Sequence, residues 1–69
     1  MKVYFENVGR NKATWQAEVK GELTYEWLYN QVKPYLASRG IDFFLDEVGK
    51  GEILVGGIRT VGTFRIEEG

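Results

Sequence analysis

Residues 41–66 read IDFFLDEVGKGEILVGGIRTVGTFRI, and the alternation within them decides the fold. Three runs rich in β-favouring residues, 41–48, 52–55 and 58–66, are separated by two glycine-bearing breaks. Gly49-Lys50-Gly51 suits a three-residue hairpin loop, a type I turn closed by a glycine bulge. Gly56-Gly57 suits a two-residue loop that takes positive φ. These loop lengths predict Leu45 opposite Val55 and Val55 opposite Ile58. Ile41, Phe43, Leu45, Ile53, Val55, Ile58, Phe64 and Ile66 then share one face. Turn chemistry and alternation agree, which is the mark of a foldable antiparallel meander. The third run outlasts its hairpin partner, so residues 63–66 are expected to pair elsewhere, with residues 2–8.

Outward from the meander, residues 2–8 and 13–20 also alternate. Ala13, Trp15, Ala17 and Val19 occupy one face of the second run, with Thr14, Gln16, Glu18 and Lys20 on the other. Gly9-Arg10-Asn11-Lys12 between them is turn chemistry, so the two runs form a hairpin. Keeping Val3 and Phe5 on the face of Trp15 and Ala17 requires an odd-numbered loop or a bulge, with Asn11 expected in the left-handed conformation. Trp15 is expected in the core beside Phe5. A helix is predicted over 24–39, capped by Thr24, with Glu26 near its positive end and Leu23 and Leu28 as a hydrophobic staple. Its core stripe is Tyr25, Leu28, Tyr29, Val32, Tyr35 and Leu36, and Gly40 is placed at the left-handed C-cap. Pro34 deletes one helical hydrogen bond and is expected to kink or split the helix near Lys33. The fold class is therefore α+β: one domain over residues 1–69, order β-β-α-β-β-β, an antiparallel-rich sheet with one helix on one face. Residues 67–69 are expected to fray.

Composition narrows the function. The 69 residues contain no cysteine and no histidine. No disulfide or thiolate metal site holds the fold, and the commonest general base and metal ligand are missing. With no long apolar run, this favours the cytoplasm and no membrane segment. Nine Lys/Arg against ten Asp/Glu leave a net charge of −1. A domain that lives on phosphate contacts shows a basic excess instead.

Three candidate chemistries fail on their spacing. Gly49-Lys50-Gly51 has no Ser or Thr after the lysine and leads into a strand, whereas a phosphate loop leads into a helix. Asp42 and Asp46 would lie roughly 13 Å apart along a strand, too far to share a cation without help. Ser38 is the single serine and has no histidine to activate it. The expectation is a non-enzymatic chain with no cofactor and no metal.

Binding is the remaining class, and two surfaces offer it. On the open face of the sheet Tyr4, Phe44, Val48, Leu54 and Val61 are expected among Lys2, Lys20, Arg59 and Arg65. Aromatics amid basic residues on a sheet can stack bases, or they can meet a protein or a second copy. On the helix, Trp27 falls roughly 140° from the centre of the apolar stripe, beside Asn30, Gln31 and Pro34. An exposed indole suits an interface, and one packed locally does not. The expected partner-binding residues are Trp27, Gln31, Tyr4, Phe44, Arg59 and Arg65. The expected function is a protein–protein interaction or regulatory accessory module, by partner or by self-association. A nucleic-acid-binding module using the open sheet face ranks second.

Overall fold

The computed structural model describes residues 1–37 and 40–68. Strands β1 (Lys2–Val8) and β2 (Ala13–Glu18) form the first hairpin. Helix α1 (Tyr25–Val32) follows, continued by a 3₁₀ turn, Lys33–Tyr35. Strands β3 (Ile41–Leu45), β4 (Lys50–Val55) and β5 (Arg59–Glu67) complete the order β-β-α-β-β-β. All five strands form one antiparallel sheet in the order β2-β1-β5-β4-β3. The long last strand does pair with the first: Val3 lies opposite Ile66 and Phe5 opposite Phe64. Glu67 belongs to that pairing, opposite Lys2, so the expected frayed tail starts later, and Gly69 lies outside the described residues.

The first hairpin keeps its expected face. Val3 pairs with Ala17 and Phe5 with Trp15, and a bulge between Phe5 and Val8 absorbs the odd residue. Asn11 does not supply the left-handed conformation. Asn7, Gly9 and Lys12 do, with φ of 54°, 77° and 52°. At Gly9 the main chain also runs against the Tyr35 carbonyl oxygen, which a Cβ there would overlap. Glycine at this position thus meets a conformational and a steric requirement together.

Both meander loops differ from the expected ones. Asp46 pairs with Lys50 through the Asp46 amide, so the first loop is Glu47-Val48-Gly49, two residues earlier, with Gly49 at φ 85°. The Asp46 carboxylate fixes it by accepting from the Val48 and Lys50 amides, both at 2.9 Å. A short acceptor two residues before an amide competes well for the turn, a signal the glycine spacing obscured. Leu45 consequently faces Gly51 and not Val55. The shift is even, so no side chain changes face. The second loop gains a residue: Val55 faces Arg59, leaving Ile58 in the turn and 91% exposed. A bulge at Val61, between the Leu54–Thr60 and Ile53–Gly62 pairs, restores the parity. Val61 is thereby turned onto the core, and Arg59 onto the helix side with Val55.

The helix starts and stops for readable reasons. The Thr24 hydroxyl accepts from the Trp27 amide at 3.1 Å, and the Lys33 amide makes the last regular helical bond, to the Tyr29 carbonyl, before Pro34, which has no N–H to give. Leu36 is already extended, so Gly40 is no C-cap. Its carbonyl instead accepts from the Gly56 amide, and Arg39 lies outside the described residues. Eight residues of helix must cover five strands. A helix is about 10 Å wide, while four interstrand spacings span about 19 Å. Leu28 and Val32 point at the sheet and are buried, and large aromatics on both flanks cover the remainder. On one flank Trp27 stacks on Phe5, their centroids 6.1 Å apart. On the other Tyr25 meets Phe43 edge-on at 5.4 Å, although it remains 53% exposed. Val3, Phe5, Val8, Val19, Ile41, Ile53 and Phe64 complete the core.

Candidate functional site

Two of the expected binding residues serve the interior. Trp15 is sandwiched between Phe5, at 4.6 Å, and Tyr35, at 4.4 Å. Its indole N–H donates to Gln31 Oε1 at 3.1 Å, so Gln31 satisfies a half-buried tryptophan. Trp27 is half-buried on Phe5 and packs against the core. The helical wheel placed it on a polar flank, and that flank turns out to face β1 and β2.

The open sheet face carries Tyr4, Phe44, Arg65 and Leu54. Arg65 lies over the Tyr4 ring at 4.9 Å and reaches Glu67 at 3.9 Å. Phe44 and Arg65 border one shallow concavity with Glu6, Glu52 and Thr63. Tyr4 sits on β1 and Phe44 on β3, three strand spacings or about 14 Å apart. The guanidinium already occupies one side of Tyr4. Acids intervene throughout: Glu6, Glu18, Asp42, Glu52 and Glu67 share this face with Lys2, Lys50 and Arg65. Arg59 is elsewhere, on the helix side beside Arg10, Lys12, Tyr35 and Leu36.

Three of the exposed apolar side chains lie at the β3 end of the sheet, whereas Met1, Tyr35 and Ile58 are exposed elsewhere. Phe44 is 60% exposed, Leu45 48% and Val48 76%. Phe44 lies on the open face and Leu45 on the helix face, so together they flank both sides of one strand. That strand is an edge of the sheet. The sequence offered Phe44 but not Leu45, because alternation assigned Leu45 to the core and said nothing about which strand ends the sheet. All ten carboxylates are exposed, so none lies in a desolvated cleft of the kind that prepares an acid or base. No helix among the described residues is long and apolar enough to cross a membrane. No protein family, curated protein or solved structure matches the chain.

Proposed function

We propose that the chain is a non-catalytic protein-binding module of the cytoplasm, acting through the β3 end of its sheet. The observation that carries this reading is the grouping of Phe44, Leu45 and Val48, three exposed apolar side chains around one sheet edge. Exposed apolar residues grouped at one edge mark interaction sites more often than scattered single ones do. Phe44 supplies the large aromatic anchor that interface hot spots favour. Mixed charge on the open face, with its two aromatics far apart and one covered by Arg65, supports a protein partner over stacked bases.

Affinity capture from the native cell with the wild type and a Phe44→Lys variant tests the reading. At an exposed position the substitution should change stability by no more than about 0.5 kcal/mol. Loss of the anchor should weaken binding by ~2 kcal/mol or more. One protein is expected on the wild type, retained as salt rises from about 50 to 200 mM, and absent from the variant. Phosphate-driven binding falls steeply over that range. Recovery of RNA or DNA alone, lost as salt rises, would replace this reading with a nucleic-acid-binding one.

A further inference from the structure

The hydrogen bonds that close the β3–β4 ladder fix which way each β3 residue turns its main chain. Gly56 donates to the Gly40 carbonyl at one end, and Asp46 donates to the Lys50 carbonyl at the other. In an antiparallel ladder bonded pairs recur every second residue, so Asp42 and Phe44 bond to β4. Ile41, Phe43 and Leu45 therefore turn their N–H and C=O groups away from the sheet. The Tyr25 hydroxyl donates to the Ile41 carbonyl and occupies that rung. Among the described residues nothing takes up the amides and carbonyls of Phe43 and Leu45. An extended chain laid there would find two open rungs, with Phe44 on one side and Leu45 and Tyr25 on the other.

The opposite edge is of another kind. Val19 donates to the Met1 carbonyl, which turns Thr14, Gln16 and Glu18 outward on β2. Those residues are polar, and the apolar residues of β2 are half-buried. Polar edges resist pairing with other chains, and apolar ones invite it.

Charge selects the occupant. Among the described residues, Asp42, Asp46, Glu47 and Glu52 are exposed around β3 and its loop, with Lys50 beside them and Arg65 one strand further in. A second copy paired along the same edge would bring these acids to one seam, and like charges across strands are destabilising. Resting on the protein-binding reading above, we propose that β3 accepts an extended segment of a partner as a sixth strand. That segment alternates apolar residues, facing Leu45 and Tyr25, with Lys or Arg, facing Asp42. Main-chain bonds hold such a strand, and alternate side chains select it.

Blocked decapeptides that alternate valine with lysine, or valine with glutamate, test this against the isotope-labelled full chain by NMR titration. The valine–lysine peptide should give saturable shifts centred on the Phe43 and Leu45 amides. The valine–glutamate peptide should bind at least about tenfold more weakly, and Asp42→Lys should weaken the lysine peptide similarly. Equal binding of both peptides, or shifts centred on β2 or on Tyr4 and Arg65, would overturn the proposal. Protection of the same amides by the chain's own concentration-dependent dimerisation would assign the edge to a second copy and overturn it too. If Phe44-dependent capture of a protein persists while the lysine peptide leaves Phe43 and Leu45 unshifted, the protein-binding reading stands and this mode falls. Absence of both removes the reading itself.

Discussion

Phe5→Ala should abolish cooperative folding or lower the melting temperature by more than about 12 °C. Phe5 is fully buried on the middle-left of the sheet and touches three other rings: Trp15 at 4.6 Å, Trp27 at 6.1 Å and Phe64 at 6.3 Å. Truncating a buried phenylalanine costs about 3–5 kcal/mol, from lost transfer energy and the cavity left behind. A 69-residue chain holds only about 3–10 kcal/mol in total. The rings around Phe5 belong to β2, α1 and β5, so the cavity cannot be refilled by one neighbour moving alone. Thermal unfolding followed by near-ultraviolet circular dichroism measures the effect directly. A melting temperature within a few degrees of the wild type would mean that the aromatic layer does not carry the fold.

Gly51→Ala is the second large effect, and its sign is diagnostic. Gly51 lies on β4 directly opposite Phe64, and a Cβ there would overlap the Cζ, Cε1 and Cε2 atoms of that ring. The ring cannot swing aside, because Phe5 and Phe43 hold it on either side. Overpacking of this kind costs about 1–3 kcal/mol, more where a buried ring must leave its site. Were Gly51 a loop glycine with open space and ordinary φ, alanine would stabilise by about 0.4–1 kcal/mol instead. Combining Gly51→Ala with Phe64→Leu should cost less than the sum of the single changes, since both act on one contact. Additive losses, or a more stable Gly51→Ala, would show that the ring does not fill the glycine's place.

That glycine also shows where the sequence stops being legible. Gly51 announces itself as a turn residue, and only the pairing with β5 reveals that it makes room for an aromatic ring. Face assignments, by contrast, rest on a period of two and survive even-numbered errors in loop length, as the four-residue shift of Leu45 across β4 shows, but not odd ones, which turned Arg59 and Val61 over. Alternation alone puts Ile58 on the core face because the extra loop residue leaves no local trace, and no local pattern marks the compensating bulge at Val61. Trp27 and Gln31 read as surface because the helical wheel knows the stripe and not the width of the sheet beneath it. Their partners, Phe5 and Trp15, lie on strands that pairing brings under the helix from far along the chain. The edge position of β3 was out of reach for the same reason, since it follows from β5 pairing with both β1 and β4. Phe44 was legible because an aromatic on the polar face of an alternating strand is a local signal.

A protein partner met along β3 would be seen by amide hydrogen exchange on the whole chain, free and bound to the captured protein. Phe43 and Leu45 should exchange quickly in the free chain and become strongly protected in the complex, with Thr14, Gln16 and Glu18 on β2 unchanged. Protection confined to the amides of α1 or of Tyr4 and Arg65, with Phe43 and Leu45 still exchanging freely, would mean that the partner binds elsewhere and not along β3.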